Sequence, residues 1–351
     1  MLHHPSGLLT LPFDGVEPRL ATPPRFCGAE SCVLGKTTLG ADASIGGKVT
    51  IRADGHFIRI GDRFSIGDHS TVHIAHDIYP TTIGSDVTVG RNAVVHACTV
   101  GNDCVIEDDV VILDGSVVGD GVLIEANSIV FGKSELESGF VYAGFPAKKV
   151  RPLDNAERAE RRARVQAAGT SVAAPGRQAP SAPAAEFIAV TASVTGRVEI
   201  GAAAGVYFSC DLDAGPNRIV IGENTNIQDN TTIRCANGDA IIGPNTTLGH
   251  NVHAGSCEIA ERTLIGMGAV LAEGTVVEAD VLVGACAHTK PGQRLETGWL
   301  WGGRPARAIA RLDERKRALM ERTIEQYCGY SRTFRELQLR AGADETASRS
   351  R

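Results

Sequence analysis

Thr99–Val130 reads TVGNDCVIEDDVVILDGSVVGDGVLIEANSIV, and in it an aliphatic residue returns at every sixth position: Val100, Ile106, Ile112, Val118, Ile124 and Val130. A helix needs a period near 3.6 and does not tolerate this density of glycine. Six residues suit one short strand plus a corner, and three such units make one triangular coil. Coils stacked ~4.8 Å apart let each strand pair with its equivalent above and below. Upstream the same beat runs through Val33, Leu39, Ile45 and Ile51, then Ile60, Ile66 and Val72, then Ile83, Val89 and Val95. A six-to-five slip from Val95 to Val100 joins it to the quoted stretch.

The whole pattern occurs twice. Val33 to Val72 repeats as Val194 to Ile233 at an offset of 161 residues, and Ile83 to Ile124 repeats as Ile242 to Val283 at an offset of 159. Even the slip recurs, from Ala254 to Ile259. These units resemble the hexapeptide repeats of the left-handed parallel β-helix, an exception to right-handed crossovers. The expected fold is an all-β solenoid: two left-handed parallel β-helix domains in tandem with short flanking α-helices. The domains expected are an extension over 1–29, the first β-helix over 30–153, a helix and Pro/Ala-rich linker over 154–186, the second β-helix over 187–311, a helix over 312–340 and a disordered tail over 341–351. Asp154–Ala168 is a charged helix whose arginines read as a solvated face, and Gly169–Ala185 is a tether. Trp299 and Trp301 are expected to cover the end of the second domain.

Composition narrows the function classes. The chain has 351 residues, 43% of them hydrophobic and only 5% aromatic, so its interiors are aliphatic. A net charge of −6 supplies no basic field for nucleic acid or anionic lipid. No apolar run approaches the ~18–20 residues that span a bilayer, and the beginning, MLHHPSGLLTLPFDG, lacks the regions of a secretory signal. Nine scattered cysteines without CxxC pairs read as reduced thiols, hence a cytoplasmic protein.

In the first half, Arg52-Ala53-Asp54, His73, a loop ending YPTTIG and the run VGRNAVVHACTVG stand out; in the second, IGENTNIQDN, LGHNVHAGSCEI and LIGMGAVL. Each half closes on a shared signature, Gly144-Phe145-Pro146-Ala147 and Gly303-Arg304-Pro305-Ala306. On these motifs the chain resembles γ-class carbonic anhydrase-like proteins. That resemblance implies zinc, or another divalent metal such as iron or cobalt, held by three histidines at a trimer interface, and no nucleotide cofactor. Matched by spacing, the first half offers His73, Arg91 and His96 at the three ligand positions, and the second offers Arg234, His250 and Gly255. Where one half has lost a ligand, the other has kept it. Arg52 and Asp54 likewise face Asp213 and Gly215, and Gln228 faces Gly67. Asp68 and Asp229 are common to both.

His73 and His96 each follow an inward aliphatic residue, so both point outward, on one face and one coil apart. His250 sits near a corner that leads into a different face. The expectation is one complete site of His73, His96 and His250, formed where a first-half domain meets a second-half domain. By the resemblance, Arg52, Asp68 and Gln228 orient water. Asp77 or Tyr79, in the loop after His73, is read as relaying protons or contacting substrate. In an alternative reading, Arg91 grips a substrate carboxylate beside two histidines acting as acid and base. Catalytic zinc with three protein ligands keeps a position for water, whose pKa falls to ~7. Three functions compete: a zinc hydro-lyase or hydrolase acting on CO2, a small carboxylate or a thioester; a CoA-dependent acyltransferase of the hexapeptide type with His73 or His96 as base; and a trimerising scaffold. The partners expected are a small-molecule substrate and further copies of the chain in trimeric or pseudo-trimeric packing, with neither nucleic acid nor membrane. Cys98 and Cys257 are read as packing residues, and His69, His76, His253 and His288 as surface or corner residues.

Overall fold

Strands of two to three residues, each leading through a tight corner into the next, dominate the computed structural model of the chain, which describes residues 2–3, 7–168 and 185–349. The side chains of 2–3 and 341–349 and the tether over 169–184 lie outside that description. The chain divides into two compact units, one built on Met1–Ala174 and one on Pro175–Ala343. Each is an all-β solenoid, a left-handed parallel β-helix with an α-helix beside it.

In the first unit the register is the one the six-residue beat requires. Thr71–His73 pairs in parallel with Val94–His96, and Val94 and Val95 pair with Val111 and Ile112, so each ladder steps one coil at a time. The inward positions form one buried aliphatic column that includes Val33, Ile51, Val72, Val95, Ile112 and Val130. Burying each such side chain contributes roughly 1.5–3 kcal/mol. Corners fall on residues in the left-handed region, among them Asp42, Arg63, Asp86 and Asp103, with φ between 55° and 62°. Asx side chains tolerate that conformation because they hydrogen-bond locally. The unit closes in an antiparallel hairpin, Phe140–Gly144 with Ala147–Pro152, turned by the Gly-Phe-Pro-Ala signature.

The second unit repeats the plan, with its own aliphatic column through Val194, Leu212, Ile233, Leu248 and Leu271. It closes in the hairpin Trp299–Gly302 with Arg307–Arg311, where Trp301 packs on the core and Arg311 lies over the Trp299 ring. The change of offset from 161 to 159 comes from one loop. Residues 74–80 link two strands in the first unit, whereas 235–239 link their counterparts in the second.

The two helices differ. Helix α1 (Asn155–Ala167) is capped by Asp154, which accepts from the Glu157 N–H at 2.8 Å. Its arginines do not form the solvated face that their charge suggests. Arg158 and Arg162 both bond Asp103, at 2.7 and 2.6 Å, and Arg161 and Arg164 converge on the buried Glu107. Acids on the solenoid's outer face turn that charged side into the docking side. Helix α2 spans Glu314–Arg349 and so runs past residue 340, where the sequence reading ends the helix. In the second unit α2 sets Tyr327, Tyr330 and Phe334 against Phe187, Tyr207 and Phe208. Among the described residues no helix is long and apolar enough to cross a membrane.

Candidate metal centre

Strand alternation and coil stacking place His73 and His96 together. Their Cα positions pair in register, and His73 Nδ1 lies 3.2 Å from His96 Nε2. Each opposite ring nitrogen is held by a carboxylate: His73 Nε2 donates to Asp54 Oδ1 at 2.9 Å, and His96 Nδ1 donates to Asp114 Oδ1 at 2.6 Å. If each neutral ring gives its N–H to its carboxylate, the nitrogens that face one another at 3.2 Å both present lone pairs. That arrangement suits a shared cation, because two nitrogens each 2.0–2.1 Å from a tetrahedral zinc lie ~3.3 Å apart. The carboxylate behind each ring is the partner that metal-ligating histidines use to fix tautomer and orientation. Arg52, completely buried, pairs with Asp54 and so compensates that carboxylate.

The second unit presents its histidine from a different face. His250 follows Thr247–Leu248, in the sheet that also carries Gly205–Val206 and Asn226–Ile227. Its Nδ1 lies 3.2 Å from Asp229 Oδ2, and the Tyr327 hydroxyl of α2 lies 3.3 Å from its Nε2. Asp229 also accepts from the Phe208 N–H at 3.1 Å, as its repeat counterpart Asp68 accepts from the Gly47 N–H at 2.6 Å. The backbone cap is common to both units, and in the second His250 lies beside it.

On the second unit's equivalent of the His73–His96 face, Arg234 stands in place of His73 and pairs with Asp211 at 2.8 Å. Gly255 stands in place of His96. A Cβ built there would meet the Glu273 carboxylate at 2.8 Å, and Glu273 is the counterpart of Asp114. The acid that would support a ring has moved into the ring's volume. This face offers a metal neither of the two imidazoles: an arginine stands at one step and a glycine at the other.

The other expected site residues are placed as follows. Arg91 is on a different face from the His73–His96 pair. Both its Nε and its Nη2 donate to Asp108 Oδ2, at 3.2 and 2.8 Å, and it lines a groove of about 480 Å³ with Arg25, Phe26, Arg63 and Arg162. Within the first unit it therefore does not stand beside the pair, because its strand, Thr88–Val89, belongs to another sheet. Gln228 is buried and donates to Asn226 Oδ1 at 3.1 Å. Asp77 is exposed in the loop after His73. The Tyr79 ring lies against Gly115, beside Asp114. Burial pushes the Cys98 thiol up, and that of Cys257 to about 12, as their packing role requires.

Asp114, on His96, and Tyr327, beside His250, are candidate site residues that the sequence reading lacks. Asp114 follows Leu113, which stands one coil beyond His96, so the repeat itself carries a signal for it. Tyr327 comes from a helix whose docking register no spacing in the repeats encodes.

Comparison with known proteins bears on this geometry. The model of the bacterial transferase hexapeptide (six repeats) matches residues 97–132. Over 148 residues the chain is 36% identical to "Gamma carbonic anhydrase 1, mitochondrial" of Arabidopsis thaliana, covering 40% of this chain and 54% of that protein. Over 135 residues it is 42% identical to Protein YrdA of Escherichia coli, covering 37% of this chain and 73% of that protein. The chain belongs to the γ-carbonic anhydrase-like family of hexapeptide-repeat proteins. It spans about half the length of the Arabidopsis γ-carbonic anhydrases it matches. A hexapeptide transferase family protein from Anaplasma phagocytophilum superposes with a TM-score of 0.42 at 28% identity, over 45% of this chain and 93% of that one. Within the γ-carbonic anhydrase-like family, this chain carries its histidines on two unlike repeats.

Proposed function

We propose that the chain is a metal-dependent hydro-lyase or hydrolase of the γ-carbonic anhydrase type, in which His73 and His96 of the first unit and His250 of the second ligate one divalent cation, zinc by preference. The observation that carries this reading is chemical. All three imidazoles are buried; His73 and His96 each hydrogen-bond a carboxylate, Asp54 or Asp114, and His250 Nδ1 lies 3.2 Å from Asp229 Oδ2. The ligand positions are complementary between the units, since Arg91 in the first occupies the place of His250 and Arg234 in the second that of His73. A like pair of units cannot complete the set, so the site forms where unlike units meet, within a threefold-type ring.

A divalent cation held there supplies a Lewis acid that makes hydroxide available near neutral pH. The chain's own residues do the rest. Asp54 and Asp114 hold the two rings in the ligating tautomer, and Arg52 pairs with Asp54 in a buried place. Tyr327 presents a hydroxyl beside His250 to orient substrate oxygen, with Gln228 and Asp68 supporting the water network. Asp77 and Tyr79 line the loop through which a proton leaves. With CO2 as substrate, the oxygen of water adds to carbon, bicarbonate forms and one proton departs. Nine free cysteines suit a reducing, cytoplasmic setting.

Metal analysis of the purified full-length chain tests this. One zinc per chain is expected, lost in His73→Ala and equally in His250→Ala. Zinc content indifferent to His250→Ala overturns the composite site.

A further inference from the structure

The outward line that carries His73 and His96 continues beyond them. Ile112 pairs with Val130, and the next residues, Leu113 and Phe131, extend the line one and two coils past His96. Leu113 is half-buried, whereas Phe131 is 44% exposed and meets Phe145 edge-on, with centroids 6.0 Å apart. The backbone of Gly115 flanks this line, between the Tyr79 ring and the Lys133 stem. At ~4.8 Å per coil, the apolar strip reaches ~10 Å from His96.

A single exposed aromatic is ordinary on a protein surface. This one is in line with the imidazole pair, and the second unit lacks both. There Arg234 and Gly255 replace the histidines, and Ala272, Lys290 and Arg304 replace Leu113, Phe131 and Phe145. The apolar strip occurs on the face that has the ligands and is charged on the face that lost them.

We infer that the substrate of this site carries an apolar acyl chain that lies along Leu113 and Phe131 while its carboxyl carbon sits beside His73 and His96. The inference deepens the metal-dependent reading above and rests on it. With an ester or thioester, the oxygen of water adds to the acyl carbon and the bond to the leaving oxygen or sulfur breaks. The products are the carboxylic acid and the protonated alcohol or thiol. Phe131 is then a specificity residue, one that sets chain length without taking part in the chemistry.

Calorimetric titration of the zinc-loaded full-length chain with acetate and with hexanoate tests this without turnover. Hexanoate should bind at least about tenfold more tightly, with the more negative heat-capacity change that apolar burial gives. Phe131→Ala should erase the preference and leave acetate affinity unchanged, Phe131→Leu should keep most of it, and Lys290→Ala should match the parent. If zinc binding depends on His73 but the two carboxylates bind alike, the acyl chain is overturned and the metal site stands. If zinc binding ignores His73→Ala, both readings fall. If Phe131→Ala alters the oligomeric state and not the preference, the strip is a subunit contact and the inference is overturned.

Discussion

The two units present the same face with opposite chemistry. In the first, Arg52, His73 and His96 rise one coil at a time, with Asp54 and Asp114 behind the rings. In the second, Asp213, Arg234 and Gly255 occupy those steps, and Glu273 fills the space beside Gly255. The backbone register is the same in both. A β-helix therefore keeps its geometry while the outward positions of this face change, because stability resides in the inward column and these residues mainly meet neighbours one coil away. Shape is shared, and chemistry is local to each coil.

The sharpest way to break the comparison is through the flanking sheet. Phe187, 2% exposed beneath α2, and Phe26, 43% exposed, hold equivalent places in the repeat. Phe187→Ala should cost about 3–5 kcal/mol in denaturant unfolding, whereas Phe26→Ala should stay within about 0.5 kcal/mol. Equal losses would mean that the first unit's sheet is covered as fully as the second's. Next in size, Asp114→Asn should weaken zinc affinity by about 10–100-fold in a competition titration. The matched Glu273→Gln should leave that affinity unchanged.

Most of this frame is legible in the sequence. A period of six, interrupted at the same point in both halves, specifies coils, faces and register, so His73 and His96 are neighbours before any coordinates exist. Arg91 shows the limit. Spacing gives its place on a coil, but its fork closes on Asp108, and that partner depends on side-chain reach. Tyr327 was beyond reach for another reason: helix docking is set by aromatic packing around Phe187, Tyr207 and Phe334, to which the repeat gives no clue. The arginines of α1 mislead because a charge run reads as solvated until opposing acids, here Asp103 and Glu107, are found on the docking face.

The smallest effect concerns exposed ion pairs, a corner pair in the first unit and a strand-to-loop pair in the second. Arg63 bonds Asp86 and holds its carboxyl below the usual carboxylate range, and Arg218 does the same for Asp239. A carboxyl whose value is depressed on folding stabilises the fold above its unfolded value of ~3.9, and that contribution is lost as pH falls through the folded value. Asp86→Asn and Asp239→Asn should each slightly flatten the acid side of a plot of thermal midpoint against pH. A flattening in one unit alone would show that the two ion pairs do not contribute alike.

Glu273 and Arg234 bear on what the second face would need to hold an imidazole pair. Histidine at Gly255 would have to displace the movable end of the Glu273 side chain, a modest cost, and would still lack its partner while Arg234 stands one coil away. Two rings grip an ion only together, so the two faces are separated by a pair of substitutions and not by one.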